Sequence, residues 1–278
     1  MTRFAVCFLL VFGELAFGGL LAIAVPPFFK IERGFYRSSA AVYLSAGLLT
    51  TVGFAYLAYG GTRPGAPTAS FLWTVTIVWL MFCLAVSIYL LTLYIDLDYL
   101  RARSYTLALA LGLAGIVLGS TALRPAGFGT IAAAGYAIAA VLSSLMLGFA
   151  SAAMLLGHWY LIDPNLPVDY LRTMVRALGW VLIIDLGALL LIVAALAIFG
   201  SFGASVAARS LFDSNLPLLL MRILLGPVAS IALTWMTWQT LKIPQTMAAT
   251  GLLYIAVMSV LVGEFLGRFI LFRTALPL

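Results

Sequence analysis

Charge is nearly missing from this sequence. Asp, Glu, Lys and Arg make up 9% of its 278 residues, against 64% hydrophobic side chains, whereas soluble domains run near ~25% charged and ~45–50% apolar. A chain so poor in charge cannot present a water-facing surface, which excludes a soluble globular domain and points to an integral membrane protein. Thiols and imidazoles are as scarce. Cys7 and Cys83 stand in separate apolar runs, and His158 is the one histidine. These numbers exclude a disulfide framework, an iron–sulfur cluster, a His-rich zinc site and a bis-histidine haem, so no metal is expected; a His/Met haem using Met146 or Met154 is a minor alternative. Long polar stretches are absent too, and with them any soluble catalytic domain. There is no nucleophile with its base and no glycine loop to cradle phosphate. The formal charge of +6 comes from arginines scattered singly through loops, with no basic patch interleaved with aromatics. The expected partner is therefore the lipid bilayer and not nucleic acid.

What the sequence has in quantity is apolar runs long enough to cross a bilayer, which takes about 20 residues of helix. Eight are readable: Phe4–Val25, Ser39–Gly60, Ser70–Tyr94, Tyr105–Leu123, Ile131–Leu156, Met174–Phe199, Leu218–Trp238 and Met247–Leu271. The expected fold is an all-α bundle of eight transmembrane helices with short loops, one domain over residues 1–278. The first run resembles a signal peptide in order, but its length and Glu14 favour a retained span. Turn residues separate the runs at Pro26-Pro27, Gly60–Gly65, Arg124-Pro125, Asp163–Pro167 and Lys242–Pro244. The spans read as unbroken by proline, and the halves before and after the fourth span show no visible similarity. Aromatics such as Phe28, Phe29, Tyr36, Tyr94, Trp159 and Trp238 gather near span ends as interfacial belts. The pairs Gly115/Gly119 and Gly263/Gly267 mark close helix packing.

An even number of spans puts both termini on one side. The odd loops hold Lys30, Arg33, Arg37, Arg101, Arg103, Arg172, Arg176 and Lys242, and the other face holds Arg3, Arg63, Arg124, Arg209 and Arg273. Cytoplasmic loops carry the excess of Lys and Arg. The termini are expected to be external, in a bacterial inner (cytoplasmic) membrane.

The remaining ionisable groups are the candidates for function, because a charge at membrane depth is costly and by default marks a site. Glu264 and Arg268, four residues apart, share a face of the last span. Arg222 sits about one turn into the seventh span and has the sign and depth to pair with Glu264, which leaves Arg268 to extend outward. Glu14 and Asp185 lie near the middle of the first and sixth spans without a cationic partner at their depth. At the opposite face His158 closes the fifth span, with Asp163 as its nearest acid; Asp96 and Asp98 read as a solvated helix end.

In overall plan, with its length, eight spans, lack of haem ligands and a helix carrying Glu264 and Arg268, the chain is similar to the cofactor-free NrfD-like membrane subunits of the molybdopterin oxidoreductase family, such as the dimethyl sulfoxide reductase anchor. That resemblance implies a membrane subunit of a respiratory or other electron-transfer complex. Such a subunit anchors redox partner subunits and offers a quinone or quinol pocket with proton-handling side chains. A quinone needs a hydrogen-bond donor at each carbonyl and a route for protons. Two sets offer them, Glu264 with Arg268 and Arg222, and His158 with Asp163. The alternatives are a proton-coupled secondary transporter using Glu14 or Asp185, and a purely structural membrane anchor.

Overall fold

Each apolar run becomes a helix because in hydrocarbon every backbone N–H and C=O must be satisfied within its own segment. The computed structural model describes residues 3–27, 30–60, 68–95, 97–122 and 129–277. Among the described residues there is no strand. Arg63, Arg124, Asp96, Phe28 and Phe29, and the turns at 61–65 and 124–125, lie outside them. The helices are α1 Arg3–Ala22, α2 Arg33–Tyr59, α3 Ala69–Thr92, α4 Asp98–Ala122, α5 Gly129–Ile162, α6 Asp169–Phe199, α7 Phe202–Ser214, α8 Leu216–Ile223, α9 Ala229–Lys242 and α10 Thr246–Thr274. A π-helical turn, Leu224–Val228, joins α8 to α9 into one rod. Seven helices, that rod included, are long and apolar enough to cross a membrane, and α1 adds a shorter apolar stretch, Val6–Ala22. Several helices start before the hydropathy boundary: α2 at Arg33, α4 at Asp98 and α6 at Asp169. Their first turns are polar and extend past the hydrocarbon, where an apolar window stops counting. Residues 202–214, expected as loop, instead form α7, which turns Ala208 and Leu211 inward.

The contacts order the helices into two rings of four. In the first, α1 meets α2, α2 meets α3, α3 meets α4 and α4 returns to α1; in the second, α5, α6, α9 and α10 close in the same sequence. The rings join mainly where α1 lies on α5, with α4 on α5 and α1 on α10 beside it. The rings close in the same helix order, a likeness of arrangement that stands beside the expected lack of visible similarity in sequence. They also share a contact: Arg37 on α2 gives Nε and Nη2 to the Leu93 carbonyl at 3.1 and 2.7 Å, just past α3. Arg172 on α6 does the same to the Leu241 carbonyl of α9, at 3.2 and 2.8 Å. Each guanidinium satisfies a carbonyl that a helix end leaves without a partner. Replacing Arg172 with Met is expected to destabilise the protein by about 1–2 kcal/mol, the scale of a charged hydrogen bond at a partly wet site. A thermal midpoint unchanged from the native protein's would count against the clamp.

The rod of α8 and α9 is not unbroken, which corrects the expectation that no proline breaks a span. Pro227 lies inside it, within the π turn. Proline has no N–H to give to the carbonyl four residues back, and its ring crowds that carbonyl, so the helix widens locally. The Ser259 hydroxyl of α10 donates to the Leu225 carbonyl there, the usual way a broken helix is re-satisfied in a membrane. On α4, Gly115 and Gly119 seat the rings of Trp79 and Phe54, which come from α3 and α2.

A buried chain of ion pairs as the candidate functional site

The two rings meet over a set of buried charges. Arg222, on the last full turn of α8, has Nη2 2.7 Å from Glu264 Oε1 on α10. Glu264 Oε2 lies 3.2 Å from Arg268 Nη2, one turn further along α10. The same Arg268 Nη2 stands 2.6 Å from Glu14 Oε1 on α1. The result is one continuous chain, Arg222–Glu264–Arg268–Glu14, across three elements and both rings, with every member at most 3% exposed. Asp185 on α6, also buried, lines a cavity with Arg222 and lies within electrostatic reach of Glu264 and Arg268.

Local sequence explains how such groups come together. Gly226 of the π turn and Gly263 of α10 face each other so closely that a Cβ on Gly263 would overlap the Gly226 backbone. A Cβ on Gly226 would meet Arg222 Nη1 first, and one on Gly263 would meet it after the Gly226 backbone. The glycines therefore floor a trough for the guanidinium, and Gly263 serves the arginine as well as helix contact. Gly267 is buried on the same helix.

The expected Arg222–Glu264 pair is present. Two other expectations are corrected. Arg268 does not extend outward, because the Cα–Cβ bond in a helix tilts toward the N-terminus. For α10 that direction leads back toward the membrane centre, onto Glu14. Glu14 accordingly has a cationic partner, brought within reach because α1 lies against α10. Depth confirms the meeting, since Glu14 stands about 16 Å from the start of α1 and Glu264 about 15 Å from the end of α10, at 1.5 Å per residue.

Polar atoms remain over. Glu14 Oε2, Arg268 Nε, Arg222 Nε and Nη1, Asp185 Oδ2 and Trp79 Nε1 have no hydrogen-bond partner among the described residues. Two small cavities adjoin them. One, of about 20 Å³, is lined by Glu14, Arg268, Trp79 and Thr50; the other, of about 10 Å³, by Asp185 and Arg222. Pro277, two residues past Ala275, whose carbonyl accepts from the Tyr136 hydroxyl at 2.6 Å, borders both. Spaces of this size admit about one water each. Among the described residues no group of His, Cys, Asp and Glu has the makings of a metal site.

At the opposite face, His158 is exposed and its Nδ1 lies 3.0 Å from the Tyr254 hydroxyl. Asp163 Oδ1 instead accepts from the Asn165 backbone N–H at 3.2 Å. His158 and Asp163 thus take different hydrogen-bond partners, Asp163 capping the turn that Pro164 starts. Trp79, Thr50 and Tyr136 were not singled out by sequence reasoning. An indole or hydroxyl in an apolar span carries no mark of what it faces. No protein-family model matches the chain, and no curated protein matches it.

Proposed function

We propose that this chain is the membrane subunit of a quinone-linked electron-transfer complex of bacterial inner-membrane type, similar in plan to the NrfD-like anchors, and that the buried ion-pair chain handles its protons. The observation that carries the reading is the charge balance of the cluster. Three carboxyls, Glu14, Asp185 and Glu264, surround two guanidiniums, Arg222 and Arg268. An uncompensated charge in hydrocarbon is costly, so the five groups reach neutrality by holding one proton. With water-sized spaces on either side of Arg222–Glu264–Arg268–Glu14, that proton has neighbours to move to. Partner subunits would carry the redox centres, docking on the polar helix ends.

In this reading α1 is the eighth span. Its 20 residues reach about 30 Å, the thickness of the hydrocarbon core, and it packs among α2, α4, α5 and α10. Both termini then lie outside, which cysteine labelling at either end of the chain in intact cells would report.

The test is to purify the chain from its native membrane and identify what comes with it. Cofactor-bearing redox proteins and quinol-dependent turnover are expected. In that complex Asp185→Asn, which breaks no direct ion pair, and Glu264→Gln are each expected to lower turnover about a hundredfold, the lower end of what a positioned proton-transfer group contributes. Full turnover in both, with the complex assembled, would leave a purely structural anchor. Two observations favour a second reading, a proton-coupled carrier: the π turn at Pro227 interrupts a span beside Arg222, and the two halves match in helix order, both common in transporters. A carrier would move its substrate in vesicles as the isolated chain and lose transport on Glu14→Gln or Asp185→Asn.

A further inference from the structure

A larger cavity lies away from the charge cluster. It opens at the end of the first ring where α2 and α4 begin and α3 stops, and its volume is about 570 Å³, within the ~300–1,000 Å³ that sites for small organic molecules occupy. Three buried tyrosines, Tyr36, Tyr89 and Tyr105, line it. The Tyr105 hydroxyl donates to the Leu20 carbonyl, and that of Tyr36 to the Pro26 carbonyl at 3.4 Å. The Tyr89 hydroxyl has no partner among the described residues, although Tyr89 is 0% exposed. Buried hydroxyls almost always have a partner, so one without it beside a cavity points to a ligand oxygen.

The rim narrows the chemistry. Glu32, Arg33, Asp98 and Arg101 border the opening, and their formal charges cancel. Arg101 is committed through Nη1 to Asp98 at 2.8 Å and through Nη2 to the Thr92 carbonyl at 3.0 Å, while its buried Nε has no partner among the described residues. Such a mouth gives no net attraction to an ionised headgroup. The wall is aromatic, with the Tyr89 and Tyr105 rings 5.0 Å apart and inclined at 50°, a surface on which a flat ring packs well.

We infer that the cleft among α2, α3 and α4 binds an uncharged, membrane-soluble ring molecule whose carbonyl oxygen accepts a hydrogen bond from Tyr89. This deepens the electron-transfer reading by giving the quinone a place away from Glu264. It rests on that reading only for the ligand's redox role. The carbonyl takes the Tyr89 hydroxyl, which with Arg101 Nε is one of two buried donors left unused in the lining, and the apolar remainder lies along Ile31, Leu93 and the tyrosine rings.

The test uses the full chain in detergent micelles with decylubiquinone as the probe, followed by the shift of the thermal midpoint and by native mass spectrometry. Saturable binding is expected. Tyr89→Phe, which removes one oxygen and no volume, is expected to weaken it about tenfold, the worth of one neutral hydrogen bond. Ala102→Trp fills the cleft and is expected to abolish binding with the helical circular dichroism unchanged. Binding to Tyr89→Phe within about twofold of native, or displacement of the probe by an equal mole fraction of phosphatidylcholine, would overturn the proposal and leave a lipid crevice. Probe binding without redox partners or quinol turnover sinks the electron-transfer reading and leaves the cleft standing. Quinol turnover in a complex whose isolated chain binds no probe does the reverse.

Discussion

An Arg268→Gln protein is expected not to reach the detergent-stable, assembled state of the native chain. Arg268 joins Glu14 to Glu264, at 2.6 and 3.2 Å, through one nitrogen that is closed to water. Glutamine is shorter and neutral, so Glu14 would lose its ion-pair partner while staying in the middle of the bundle. Removing one member of a buried pair costs about 3–5 kcal/mol, mostly because the survivor is stranded. That is a large share of a total stability of about 5–15 kcal/mol. The same reasoning predicts its own rescue. Glu14→Gln in the Arg268→Gln background removes the stranded charge, and the double variant is expected to recover part of the loss, a coupling of about 1–3 kcal/mol. Thermal unfolding of the four proteins in one detergent measures it. If Arg268→Gln unfolds at the native midpoint, or if the double variant is the sum of the singles, the pair is not what holds α1 to α10.

How much of this was legible in the sequence depends on the residue. Arg222 and Glu264 were legible because opposite signs at matching depth have few other places to go in hydrocarbon. The partner of Glu14 was not, because neither the order of helices nor the backward tilt of Arg268 on α10 can be read from hydropathy. Pro227 escaped because a proline in an apolar run barely changes a hydropathy window. Only the π turn and the Ser259 bond to Leu225 reveal what it does. The likeness of the halves lies in backbone arrangement and in Arg37 and Arg172 gripping equivalent carbonyls, with no shared motif around them. The seven long helices needed no such help, since length and composition alone decide them.

The second large effect is expected at Gly18. A Cβ built there falls on the Ser144 carbonyl of α5, and one on Gly148 falls on the backbone of Gly18 itself. Glycine faces glycine across the α1–α5 crossing, with no intervening side chain that could rotate away. Neither residue belongs to a four-spaced glycine pair within its own helix, so a search for that spacing passes over both and stops at Gly115/Gly119 and Gly263/Gly267. Gly18→Ala must therefore separate two helix backbones, and overpacking of this kind costs about 1–3 kcal/mol, occasionally more. The displacement also reaches the charges. Gly18 is one turn beyond Glu14 on α1, so pushing α1 off α5 draws the Glu14 carboxylate away from Arg268. Gly18→Leu is accordingly expected to leave the chain unable to assemble. The loss from Gly18→Ala is expected to shrink when Glu14 is already Gln, because no ion pair is then stretched. Gly251→Ala on α10 serves as the comparison: nothing lies within 4 Å of its added Cβ, and there the better helix propensity of alanine, about 1 kcal/mol, should hold or raise the midpoint. Equal midpoints for Gly18→Ala and Gly251→Ala would mean that α1 and α5 have room between them, and that the Glu14–Arg268 contact is not held in place by that crossing.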